Sequence, residues 1–76
     1  MNKLLDILSK IKPHIDFETN KNLMAEGILD SFDIITLIGD INESFDVNIT
    51  VESIVPEHFN SVEAIYELII KLKDNN

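Results

Sequence analysis

Apolar residues recur at helical spacing in three separate stretches of this chain, and that pattern limits the fold more than any other feature. Leu4, Leu5, Ile7, Leu8 and Ile11 make the first stripe, with the 3.6-residue period of one buried helix face. Pro13 stops this helix just after Lys12, because proline lacks an N–H and its ring clashes with the preceding turn. The second helix starts near Asp30 or Ser31, either of which suits an N-cap, and Asp33 in its first turn suits the helix dipole. Ile34, Leu37, Ile38, Ile41 and Phe45 form its core stripe, while Phe32, Ile35, Thr36, Gly39 and Glu43 fall mostly on the other side. Asn60-Ser61-Val62-Glu63 reads as a capping box with Asn60 as the cap. It opens a last helix whose buried face is Val62, Ile65, Leu68, Ile69 and Leu72, and Lys71 and Lys73 supply the charge that suits its C-terminus.

Residues 14–29 read as a long loop with Ile15, Phe17, Leu23, Met24, Ile28 and Leu29 as apolar anchors. A loop of that length is usually functional. The stretch Asp46–Phe59 contains a β-branched run, but a lone strand has nothing to pair with. It is expected to be a loop with a short helical turn between Val51 and Phe59. The expected fold is therefore all-α: a small helical bundle of three main helices plus one short helix, with a long loop between helices 1 and 2. At 76 residues the expectation is a single domain over residues 1–76, working as a monomer.

The formal net charge is −8, and between Asn22 and Ile70 there are ten acids and no Lys or Arg. Such a field repels nucleic acid and anionic lipid and attracts a partner with a basic patch; a plain solubilising coat is the competing reading. No run has the ~18 apolar residues of a membrane span and the N-terminus lacks a signal-peptide layout, so a cytoplasmic protein is expected. There is no cysteine, hence no disulfide, no thiolate metal site and no thiol nucleophile belonging to the chain.

Ser31 stands between an acid and a large aromatic. A hydrolase nucleophile needs a base in reach and usually a Gly-x-Ser-x-Gly turn. The surroundings here are Leu-Asp-Ser-Phe-Asp, and nothing in the sequence places His14 or His58 beside the serine. Asp46, Asn48, Thr50, Glu52 and Glu57 imitate a calcium-loop ladder, but its sixth position is Val51, where the turn wants glycine. A helix cap explains Ser31 alone. It does not explain the apolar line of Phe32 and Ile35 flanked by Asp33, Asp40 and Glu43, which looks like a docking face.

Gly27-Ile28-Leu29-Asp30-Ser31-Phe32 resembles the Asp-Ser-Leu-type attachment motif of acyl carrier proteins. The helix order, the acidic balance, Phe45-Asp46-Val47-Asn48-Ile49 and a last helix opening with Ser-Val-Glu-Ala-Ile are similar to that family over nearly the whole chain. The resemblance implies that Ser31, with Asp30 beside it, is the cofactor-binding site. There a phosphopantetheinyl transferase would attach 4′-phosphopantetheine covalently. It also implies a non-enzymatic carrier that shuttles acyl or aminoacyl thioesters between loading and transferring enzymes with basic patches. Phe32 stands where many members have Leu or Met, and Thr36, Gly39 and Asn42 stand where acid or Met is common. Leu29-Asp30-Ser31 is also similar to D-alanyl carriers and to stand-alone carriers of secondary pathways, so fatty acyl, aminoacyl and polyketide cargoes all stay open. The alternatives from other classes are an acidic helical adaptor without a prosthetic group and a calcium-binding module.

Overall fold

The computed structural model describes residues 2–74. Helix α1 spans Asn2–Ile11, α2 spans Ser31–Phe45, α3 spans Pro56–Phe59 and α4 spans Val62–Asp74. A 3₁₀ turn at Val51–Ser53 precedes α3. Among the described residues there is no strand, and the architecture is the all-α bundle of three main helices and one short helix that the apolar stripes imply.

The stripes become the core. α1 buries Leu4, Ile7 and Leu8, α2 buries Ile34, Leu37 and Ile41, and α4 buries Val62, Ile65, Leu68 and Ile69. α1 packs against α2 and α4, and α3 lies against α4. Phe59 closes the centre from α3 with no exposed surface. Leu5 and Ile11 of the first stripe, Ile38 and Phe45 of the α2 stripe and Leu72 of the last are only half-buried. The buried centre of α2 runs through Ile34, Leu37 and Ile41, and Ile38, about 100° round the helix from Leu37, falls on its flank.

The segment after α2 alternates with a period of two: Val47 and Ile49 are buried while Asp46, Asn48 and Thr50 are exposed. Asp46 adopts the left-handed conformation at φ 55° and ends α2. The Ile49 N–H donates to Asn42 Oδ1 at 2.9 Å, so a side chain takes the place of a partner strand. The calcium-like ladder is thus divided among this segment, which holds Asp46, Asn48 and Thr50, the 3₁₀ turn, which holds Glu52, and α3, which holds Glu57. Among the described residues no three His, Cys, Asp or Glu side chains gather into a group able to hold a metal ion.

The start of α4 corrects the sequence reading. Asn60 is not its cap. Ser61 is, its Oγ accepting from the Ala64 N–H at 3.1 Å. Asn60 is drawn away instead, because its side-chain oxygen accepts from the Met24 and Ala25 amides of the long loop. That loop is packed by Phe17, Leu23 and Leu29, all buried, and the exposed Lys21–Glu63 ion pair ties it to α4.

Both ends of α2 are held from outside its own ladder. At its C-terminus Lys3 Nζ donates to the Ser44 carbonyl at 2.9 Å and Lys73 Nζ to the Phe45 carbonyl at 3.0 Å. Lys3 also sits 5.3 Å from the centre of the Phe45 ring, so lysines from α1 and α4 meet carbonyls that the helix leaves unpaired. In mid-helix, Gly39 is exposed, and the space beside its Cα is open.

Leu37→Ala and Ile41→Ala should each destabilise the fold by about 2–5 kcal/mol, the range for truncating a buried aliphatic. Ile35→Ala, at an exposed position, should stay within about 0.5 kcal/mol of the parent. Urea unfolding of the three variants checks this; equal losses would mean that α2 is rotated relative to the structure described.

Candidate functional site at the head of α2

The site starts from the way α2 begins. Asp30, extended at φ −88° and ψ −176°, is the N-cap. Its Oδ1 accepts from the Asp33 N–H at 2.9 Å, and Asp33 Oδ2 accepts from the Asp30 N–H at 3.2 Å. This is a capping box built from two aspartates, each satisfying a donor that the helix start would leave orphaned. The sequence allowed either Asp30 or Ser31 as cap, and the structure selects Asp30. Ser31 is therefore the first helical residue. Its side chain is exposed, and among the described residues no hydrogen bond within the chain engages its hydroxyl.

The Asp33 N–H donor is the main reason the Asp30 carboxyl titrates below the usual carboxylate value. Desolvation opposes this, while the positive charge of Lys12 and the Phe32 amide add to it. Lys12 reaches over from the end of α1, with Nζ 3.3 Å from Asp33 Oδ2. Asp33, expected on the docking face, is thus turned into the capping box and toward Lys12, and only 17% of its side chain is exposed.

The other residues singled out from the sequence divide along the helix. Phe32 is 82% exposed and Ile35 66% exposed, a large apolar surface one turn from the serine. Glu43 is exposed and Asp40 half-buried, the latter two turns from Asp33 on the same flank. Neither histidine joins the site. His14 is exposed, and His58 lines a separate small cleft with Glu67 and Lys71.

Ser31 stands on the rim of an open cleft of about 490 Å³. The loop lines it with Met24, Gly27, Leu29 and the cap residue Asp30, α2 adds Ile34 and Ile35, and the stretch before α3 adds Ile54. Gly27 takes a left-handed turn at φ 73°, a conformation that a side chain would strain. Met24 and Leu29 had a sequence signal only as loop anchors. Ile54 had none, because its place in the cleft follows from the turn between α2 and α3.

The arrangement suits covalent loading of the serine. The cap is supplied by Asp30, so the Ser31 oxygen is left without a partner in the chain among the described residues, and the cleft beside it is lined mostly by apolar side chains. A family model described as phosphopantetheine attachment site matches residues 2–69. The chain belongs to this family, whose domain is the site of covalent 4′-phosphopantetheine attachment. Comparison with curated proteins and with solved structures finds no match.

Because the Asp30 carboxyl titrates lower in the fold than in the unfolded chain, its contribution to stability is complete above the ordinary carboxylate pKa. It is lost as pH falls through the depressed value. Asp30→Asn keeps an acceptor for the Asp33 amide but cannot titrate. Its thermal midpoint should therefore fall less steeply than the parent's between about pH 5 and pH 2, the window in which carboxylates of lowered pKa act. Parallel slopes in the two proteins would remove Asp30 from the acid response.

Proposed function

We propose that Ser31 is the attachment residue and that the chain is a carrier, not itself an enzyme, which passes tethered intermediates between biosynthetic enzymes in the cytoplasm. The observation that carries this reading is the division of labour at the head of α2: Asp30 and Asp33 cap the helix, and the adjacent hydroxyl is exposed and unengaged on the rim of an apolar cleft. In loading by a transferase, the Ser31 oxygen forms the new bond to phosphorus and the pyrophosphate bond of coenzyme A breaks. The adenosine bisphosphate leaves, and the hydroxyl proton passes to a base on the transferase. Once bound, the group supplies a terminal thiol on which an acyl or aminoacyl unit is held as a thioester. The chain itself has no cysteine, so that thiol has no competitor within the chain.

The cleft argues for cargo with a hydrocarbon part. Its volume of about 490 Å³ lies within the ~300–1,000 Å³ of small-molecule sites. Met24, Leu29, Ile34, Ile35 and Ile54 offer it apolar surface, and among its described lining residues Asp30 alone carries a charge. Outside the cleft, Phe32 and the open side of Ile35 are proposed as the apolar centre of the docking face, with Glu43 and Asp40 on its acidic rim. Asp33 contributes by holding the helix start, since its carboxylate is already met by Lys12.

Ser31→Ala should fold, retain the Asp30–Asp33 box and take up no phosphopantetheine when incubated with coenzyme A and a broad-specificity phosphopantetheinyl transferase. Intact mass reads the outcome. A parent chain that never gains the group would favour the acidic adaptor instead, and a modified Ser31→Ala variant would move the attachment elsewhere.

Rim charges act mainly on association and its salt dependence, whereas apolar contacts act mainly on dissociation. Glu43→Lys should therefore slow modification at low salt, with a defect that shrinks toward 0.15 M, where the screening length is about 8 Å. Ile35→Ala should weaken docking with little dependence on salt. Transferase kinetics across an ionic-strength series test both; a Glu43→Lys variant as fast as the parent at low salt would leave the acidic surface as a solubilising coat.

A further inference from the structure

Three consecutive amides of the long loop converge on one residue outside it. The Leu23 N–H donates to the Asn60 carbonyl at 2.9 Å. The Met24 and Ala25 N–H groups both donate to Asn60 Oδ1, at 3.0 and 2.9 Å. Asn60 in turn donates its own N–H to the Pro56 carbonyl at 2.9 Å, which fixes it as the C-cap of α3. Two N–H donors facing one side-chain amide require its oxygen, not its NH₂, on that side. Among the described residues no other side chain from outside the loop hydrogen-bonds to the backbone of residues 23–29.

The segment so held is already closed on itself. Gly27 N–H donates to the Met24 carbonyl at 3.2 Å and Leu29 N–H to the Leu23 carbonyl at 3.0 Å. It therefore sits as one body, placed at residues 23–25 by Asn60. That body is the loop wall of the cleft, through Met24, Gly27 and Leu29, and it runs directly into Asp30 and Ser31. Ile34 and Ile35 of α2 line the same cleft. The distance between loop and helix is thus set from a third place, the junction of α3 and α4.

We propose that Asn60 is the positioning residue of this site: by accepting the amides of residues 23–25 it holds the loop wall in place, and so sets the width of the cleft and the way Ser31 meets the transferase. The part concerning the transferase rests on Ser31 being the attachment residue; the part concerning the cleft does not. An asparagine that merely stabilised the fold would act through global stability alone, and the experiment separates the two.

Asn60→Ala removes the side-chain acceptor and leaves two amides without a partner. Asn60→Asp keeps two carboxylate oxygens at the same reach. Leu68→Ala serves as a control, a buried truncation on α4 at a residue that does not line the cleft. Amide exchange at Met24 and Ala25, binding of an environment-sensitive apolar dye, and transferase kcat/KM are measured for each, with global stability from urea unfolding. One of these bonds is part-buried and the other exposed, so losing each changes an opening equilibrium by up to about one decade, the net value of a hydrogen bond that water can replace. Exchange at Met24 and Ala25 in Asn60→Ala should therefore be several-fold to about ten-fold faster than global unfolding accounts for. Dye binding should rise, kcat/KM should fall several-fold, and Asn60→Asp should restore all three. Unchanged exchange at Met24 and Ala25 would overturn the proposal. So would a Leu68→Ala variant of matched stability that reproduced the dye and kinetic changes. Faster exchange with unchanged kcat/KM would overturn the transferase part alone. A parent chain that takes no phosphopantetheine would sink the Ser31 reading instead, and the exchange and dye measurements would still judge the clamp.

Discussion

Two hydrogen bonds exchanged between Asp30 and Asp33 fix where α2 begins, and the site follows from that register. Were the cap one residue later, at Ser31, the serine oxygen would be spent on a backbone amide and would point back over the helix start. With Asp30 as cap, the hydroxyl is the first side chain of the helix and is left without an internal partner. The facing of the helix is set separately, by burial: Ile34, Leu37 and Ile41 enter the core and Phe32 and Ile35 stay outside. A cap one residue later would shorten the helix at its head without turning these side chains. The cap thus decides the state of the serine oxygen, and the apolar stripe decides which face of α2 is left outside.

Much of this was legible because helices write their burial into local sequence. The three stripes, the proline stop after Lys12 and the lysines at the end of α4 all act within a few residues of themselves, and the structure has them where the pattern implied. What was not legible is non-local. Asn60 and Ser61 are both good caps, and nothing within their own turn ranks them. The ranking comes from amides at Met24 and Ala25, some 35 positions upstream, which claim the Asn60 oxygen and leave the cap to Ser61. The true capping box at Asp30 and Asp33 lacks the usual Glu or Gln at its third position, so it carried a weaker signature than the false one at Asn60 and Glu63. Ile38 was placed one step too deep, because a stripe read at 100° per residue does not say how wide the neighbouring helix is. The cleft needed Ile54, from a stretch whose sequence gave only a turn.

The charge is arranged as unevenly in space as in sequence. Lys3 and Lys73 are used at the C-terminus of α2, Lys21 pairs with Glu63 and Lys12 with Asp33. Most of the described acids have no such counterpart. Glu43, on the open side of α2, therefore keeps its field in solvent, while Asp33 is largely spent within the chain. Acidic composition alone did not separate these two roles; the position of Lys12 does.

Helices ordinarily fray from their ends, where the ladder runs out of partners. In α2 the N-terminal donors are met by paired aspartates and the last carbonyls by lysines from two other helices. Between them Gly39, on the exposed side of the helix, adds backbone freedom and offers no side chain to pack, while Leu37 and Ile41 on the opposite side are fully buried. The helix is therefore pinned at both ends and along its inner face, and its outer face carries no such tie at Gly39.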